Sequence, residues 1–469
     1  MDAIEAERPI TSTHDTRPRP TIGLREAVAV IVGVVIGAGI FKAPSLVAGL
    51  SGDAPTMFTL WALGGLVSLI GALCYAELTT AYPHAGGDYH YLQRAYGRSV
   101  AFLFGWARFS VITTGSIALL GFVFGDYMQQ AVPLTVFGAE WGSTIYAVAV
   151  IVGLSSVNLR GIRSGTNTQS LLTLAEILGL LLIVGTAAMF ADPAPNPGAT
   201  SVASAAAPSG AAAGALGMAM VFVLLTYGGW NEAAYISAEM RGGPRDMVKA
   251  LAVGIVIITV LYLLVAWAYW KVLGMDGMAA SEAVAADVMR VAFGTAGEKI
   301  ISVLVAVSAL TSINATMIVG ARTSYAMGLD FKKLDRLAAW DGERGTPTVA
   351  MAVQCVAALV LVALGAGLGG GFKAMVEFTA PVFWLFFLLT GISLFVLRRR
   401  EPHTPRPFKV PLYPVLPLLF CATCAWMLWS SLSYVSSQTL GGLNAAWIGV
   451  AVLACGGVLL LLVRSRHDR

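Results

Sequence analysis

Stretches of about twenty apolar residues follow one another along most of this chain, and they limit its fold more than any other feature. A bilayer core takes about 20 apolar residues per helix. Such runs lie near 24–50, 55–82, 99–130, 142–159, 167–190, 212–240, 247–272, 298–327, 347–368, 372–397, 411–434 and 445–463. Lipid offers backbone N–H and C=O groups no partner, so each run must close its own hydrogen bonds as a helix. The composition agrees. Of 469 residues, 57% are hydrophobic and 12% charged, against about 25% charged in a soluble domain. The expected class is an all-α polytopic membrane protein with twelve transmembrane segments.

The polar remainder is short. Residues 1–22 are polar with three prolines, and a disordered tail is expected there. With both termini on one side, twenty-four Lys and Arg fall in the tail, the C-terminus and the connections of that side, and four on the other. Positive residues favour the cytoplasm, so both termini are expected there, with the protein in the cell (plasma or inner) membrane. The other side carries the loop at 191–211 and a connection at 273–297, in which "MAASEAVAADVMRVAFG" reads as a short surface helix. The five cysteines, including the pair Cys421 and Cys424, all lie in apolar runs and read as packing residues. HExxH, GxSxG and clustered His/Asp are absent, and all five histidines lie outside the runs. No enzyme, cofactor, metal or nucleic-acid partner is expected.

Two runs are weak in the middle. The first holds "VGVVIGAGIFKAPS" (32–45), and the sixth holds "LTYGGWNEA" (225–233). Glycine costs about 1 kcal/mol against alanine inside a helix. Five runs separate one interruption from the other, and five is odd, so segments 1–5 and 6–10 would insert with opposite orientation. An inverted repeat with paired broken helices points to a secondary transporter and to its binding site. Unwound N–H groups at a half-helix N-terminus suit a carboxylate, freed carbonyls suit an ammonium, and glycine lets a ligand approach the backbone. A zwitterionic α-amino acid satisfies both. The competing reading is that the glycines serve close helix packing.

"IGAGIF", "PHAGGDYHY" and "YGGWN" resemble the amino acid–polyamine–organocation (APC) superfamily, as do "SEAVAADV", "TSINATMIVGARTSYAMG" and "LRRREPHTPRPFKVPLYPVLP". Within it the chain is most similar to the L-type amino acid transporter branch and its bacterial relatives. The resemblance implies a LeuT-like 5+5 inverted repeat plus two helices, with helices 1 and 6 unwound in mid-membrane. It divides the chain into the tail 1–22, a transporter core 23–397, a basic cytoplasmic loop 398–410, and helices 11–12 with a short C-terminus over 411–469. It implies that Gly37, Ala38 and Gly39 hold the substrate carboxylate, and that carbonyls of Val35, Leu225 and Gly228 receive its amine. Segments 3, 6, 8 and 10 would line the side-chain pocket.

The pattern is departed from at three places. Ala38 stands where relatives often have Ser, leaving backbone donors alone at the carboxylate. Leu225 replaces a frequent aromatic lid, a role left to Tyr227 or Trp230, with Asn231 in the pocket beside them. Glu176 stands where sodium-independent relatives commonly carry Lys. An ionisable residue in an apolar helix is a functional candidate by default, here for proton coupling; the other reading is a structural hydrogen bond. Thr311 and Ser312 resemble the hydroxyl pair of sodium-using carriers. Lys42 and Arg108 read as snorkelling cations, Glu77 and Glu239 as gate or structural partners at helix ends, and Glu232 as a candidate for a cationic substrate side chain. The function implied is transport of L-α-amino acids, neutral or small, by proton symport or exchange. Alternatives are a cationic amino acid or polyamine carrier and a non-transporting sensor. The connection "QAVPLTVFGAEWGS" lacks the cysteine by which related carriers join a heavy subunit, so no such partner is expected.

Overall fold

The apolar runs form helices, as the bilayer argument requires. A computed structural model describes residues 23–83, 87–134, 138, 141–160, 166–189, 209–233, 242–341, 346–367, 371–437 and 445–463. Among these the regular secondary structure is helical, apart from one isolated bridge between Asp341 and Thr346. The tail 1–22, most of the 191–211 loop, Glu239 and the side chain of Glu232 lie outside the described residues.

Eight described helices are long and apolar enough to cross a membrane: Ala54–Ala81, Arg98–Ala131, Gly142–Leu159, Arg245–Ala280, Val284–Asp330, Thr348–Gly367, Gly371–Arg400 and Val415–Ser433. Numbered in chain order, the helices are α1 (Leu24–Val35), α2 (Ala43–Ser51), α3 (Ala54–Ala81), α4 (Asp88–Tyr96), α5 (Arg98–Ala107), α6 (Thr114–Ala131), α7 (Gly142–Leu159), α8 (Thr166–Met189), α9 (Ser209–Thr226), α10 (Trp230–Ala233), α11 (Gly243–Ala280), α12 (Val284–Asp330), α13 (Thr348–Gly367), α14 (Gly371–Arg400), α15 (Val415–Ser437) and α16 (Ala445–Val463). Local chemistry sets several starts. Asp53 accepts the Thr56 N–H at 2.7 Å ahead of α3, and prolines stand in the first turns of α2, α3 and α11, where a missing N–H costs nothing. Leu66, Leu178, Val256, Ile300, Val356 and Leu461 are all exposed, and they give these helices an apolar outer surface suited to lipid.

The structure corrects two sequence expectations about boundaries. The segment before the eighth run is the expected short helix, but one face of it is buried. It is the first part of α12, bent away from the rest at Gly294 (φ 65°). Ala283, Val284, Ala285, Ala286, Val288 and Met289 are all buried, because their apolar face packs inward, where the Thr186 hydroxyl of α8 meets Met289 Sδ at 3.7 Å. The third run is not one continuous α-helix either. A π turn at Arg108–Thr113 separates α5 from α6; such turns occur frequently at functional sites.

Candidate functional site

Both glycine-rich stretches are broken where the sequence weakens them. Helix α1 stops at Val35, and Gly37 is extended (φ −143°, ψ −169°). A 3-10 turn at Ala38–Phe41 follows before α2 resumes the path. The α9–α10 interruption turns at Tyr227–Gly229, with Gly229 at φ 105°. That left-handed backbone is costly for any residue with a Cβ. The two breaks meet each other. A Cβ on Gly39 would lie 3.4 Å from Thr226 Cα, and one on Gly37 would lie 3.7 Å from Ser312 Oγ on α12. Gly39 therefore also serves close helix packing, the competing reading of these glycines.

Freed carbonyls at the breaks are claimed by a residue the sequence reading did not single out. The Tyr262 hydroxyl of α11 donates to the Val35 carbonyl at 3.0 Å and lies 3.2 Å from the Thr226 carbonyl. One phenol thus ties the end of α1 to the end of α9. Tyr262 is fully buried, and a buried Tyr hydroxyl finds a partner; the signal was present in "VLYLLVAWAYW", but its partners were not. The Leu225 carbonyl accepts the Gly228 N–H at 3.0 Å.

A cavity of about 400 Å³ lies beside the breaks, toward the end of the bundle that carries the basic connections. Its walls come from α1, the α5–α6 run, α8, α10, α12 and α14, with Asp88 of α4. Among the sequence candidates it brings together Glu176, Asn231, Thr311 and Ser312, next to Gly33 of α1 and Ile36 just beyond its end. Glu176 is 5% exposed, with Ser308 beside it on α12. Thr311 donates to the Ser308 carbonyl at 2.7 Å. Arg108 lines the cavity from the π turn. The aromatic faces of Phe104, Phe383, Phe386 and Phe387 were not anticipated.

Val35, Ala38 and Leu225 stand at the breaks and do not line this cavity, and neither do Gly37 and Gly39; Gly228 borders a separate void of about 20 Å³ with Trp230. Tyr227 and Trp230 do not face the cavity as lids. The Tyr227 hydroxyl donates to the Trp61 carbonyl at 3.0 Å, and the Trp230 ring packs on Tyr75, Phe387 and Phe420. Lys42 does not snorkel: it is 9% exposed and ion-paired to Asp126 at 2.6 Å. Glu77 is held by Arg398, whose Nε and terminal nitrogen lie 2.7 and 2.5 Å from its two oxygens.

A helical membrane protein with two facing interruptions beside an internal cavity belongs, by its geometry, to the carriers rather than to simple helical anchors. The chain matches the family described as "Amino acid permease" over residues 22–454, and it belongs to that family. It is 28% identical to the "Serine/threonine exchanger SteT" of Bacillus subtilis over 433 residues, 90% of this chain and 93% of that one. It is 28% identical to the "b(0,+)-type amino acid transporter 1" of Mus musculus over 418 residues, 87% of this chain and 83% of the relative. To the human "Large neutral amino acids transporter small subunit 2" it is 28% identical over 426 residues, 87% and 76% of the two chains. The protein is an amino acid transporter.

Proposed function

We propose that the chain carries neutral or small L-α-amino acids across the cell membrane by alternating access, with both termini cytoplasmic, and that it acts as a carrier rather than an enzyme. The observation that carries this reading is the meeting of the two unwound helices at Gly39 and Thr226, with Gly37 facing Ser312 of α12, beside a cavity lined with hydroxyls and aromatic rings. Substrate carboxylate would sit on the N–H groups of Gly37, Ala38 and Gly39. Its amine would take carbonyl lone pairs at Val35, Leu225 and Gly228, sharing Val35 with Tyr262. Asn231 and the α12 hydroxyls would meet the side chain. The 5+5 inverted repeat with two further helices is the architecture this reading assumes.

Reconstituted protein loaded with unlabelled amino acid should draw in label from outside, whereas a sensor binds label without accumulating it. Maleimide applied from outside should reach a cysteine placed in the 191–211 loop and not one in the 398–409 loop; the opposite pattern overturns the orientation.

Glu176 is the proposed proton-coupling group, and Thr311 with Ser312 is the alternative cation site. For a coupling carboxyl, uptake rises as the outside is acidified. Glu176→Gln keeps the shape but cannot ionise, so it should bind substrate and lose that pH dependence. Unchanged pH dependence in this variant assigns Glu176 a structural role. Uptake that instead follows a sodium gradient favours the hydroxyl pair.

A further inference from the structure

A second and larger cavity, about 710 Å³, opens at the other end of the bundle, away from the basic connections. Its lining is unlike that of the first. It holds two ammonium groups, Lys42 and Lys373, and two carboxylates, Asp126 and Glu282, with Gln129 and Ser143 between them. At its centre Lys42 Nζ donates to Asp126 Oδ2 at 2.6 Å and to the Glu282 carbonyl at 2.5 Å. Ser143 Oγ of α7 donates to the other Asp126 oxygen at 2.5 Å. The side chains of Lys42 and Asp126 are 11% and 16% exposed, so the pair is nearly dry yet still borders the cavity.

The position of Lys42 gives the pair its meaning. It stands at the junction between the 3-10 turn and α2, inside the interruption of the first run. Asp126 stands on α6, with Tyr127 next to it donating to the Phe41 carbonyl at 2.5 Å. The pair thus pins the broken run to α6. An ammonium and a carboxylate in contact are also what an α-amino acid carries. A zwitterion in this cavity can trade partners, its carboxylate to Lys42 and its ammonium to Asp126, with no net charge left bare. Partner exchange avoids the penalty of leaving a desolvated charge unpaired, which otherwise keeps such pairs shut.

We propose that Lys42 and Asp126 form a latch that zwitterionic amino acid opens by partner exchange, and so the first substrate contact from this end. The proposal rests on the amino-acid carrier reading above. It differs from the site at the breaks, where the backbone does the binding.

The test uses the full chain in liposomes with Lys42→Cys and Asp126→Cys combined, joined by a short bifunctional thiosulfonate. Counterflow by the parent chain first establishes transport of L-serine, L-alanine or L-leucine, so loss of the carrier reading and loss of the latch are separately visible. The parent treated with the same reagent controls for the native cysteines. Cross-linking should lower the uptake measured for the reduced double variant at least tenfold, and reduction should restore that level. In the uncross-linked variant the α-carboxylate and ammonium partners are gone, so protection is read instead in Asp126→Cys with Lys42 retained. There the transported amino acid should slow thiosulfonate labelling of the cysteine severalfold, and its amide, which has no carboxylate for Lys42, should not. Parent-rate uptake after cross-linking overturns the latch. Equal protection by amino acid and amide overturns partner exchange.

Discussion

The two ends of the bundle are fastened in different ways. At the basic end, Glu77 of α3 is almost fully buried and receives Arg398 on both oxygens, the Val410 N–H at 2.7 Å, and Arg406 at 3.6 Å. Around it Arg94 forks onto Glu401, Arg400 donates to the Ala95 carbonyl at 2.8 Å, and Arg398 stacks over Tyr413 at 3.7 Å. At the opposite end one ion pair among the described residues, Lys42 with Asp126, joins the interrupted first run to α6, beside the Tyr127 hydroxyl on the Phe41 carbonyl. The first network joins α3, α4, α14 and the 398–410 connection, none of which contains either interruption. The second is attached to the interruption itself. Redundant ionic contacts suit a fixed frame, and one exchangeable ion pair suits a part that moves.

This contrast makes graded predictions. Glu77→Ala removes the shared acceptor of the basic end and takes from the half-buried Arg398 guanidinium its carboxylate partner. The expected loss is about 3–5 kcal/mol, visible as a large fall in melting temperature in detergent and in folded yield. A fall no greater than that of Asp126→Asn would erase the distinction between the ends. Asp126→Asn keeps the shape, keeps an acceptor for Ser143 and leaves Lys42 bordering an open cavity. It should cost about 1–3 kcal/mol, and the variant should remain folded.

The smallest effect belongs to the rim of the basic end. The Arg94 guanidinium beside Glu401 holds that carboxyl below its usual range. The stability this contributes is complete above the ordinary carboxylate range and is lost as pH falls through the lowered value. The side chains are 43% and 24% exposed, so solvent screens the pair, and Arg94→Ala should cost about 0.2–1 kcal/mol. Melting curves from pH 7 to pH 3 should converge for parent and Arg94→Ala at the acid end; a gap that widens on acidification contradicts the assignment.

Much of the architecture was legible from spacing. Lipid leaves apolar runs no choice but helix, and glycines at Gly37, Gly39, Gly228 and Gly229 mark places where a helix is cheap to open. Glu176 and Lys42 stood out as charges among apolar neighbours. What could not be read was pairing across the chain. Asp126 lies 84 residues from Lys42, and Arg398 lies 321 from Glu77. Those partners are chosen by how helices pack, and local pattern carries no record of it. The same reason hid Tyr262, whose hydroxyl bridges two breaks from a third helix, and it turned Tyr227 and Trp230 into packed core residues instead of lids. The π turn beneath Arg108 has no glycine or proline of its own, so nothing in its sequence announced it.

The central claim is that substrate binds the opened backbone at the first interruption. Gly37→Ala tests it with little structural disturbance, because the backbone there is extended and the added methyl would sit 3.7 Å from Ser312 Oγ, an ordinary contact. Equilibrium binding of labelled substrate to purified protein is the direct measurement. Parent-like melting and at least tenfold weaker binding are expected, a difference of about 1.4 kcal/mol, because the methyl intrudes where the carboxylate approaches. Parent-like affinity in a folded Gly37→Ala protein would place the substrate elsewhere and contradict the account.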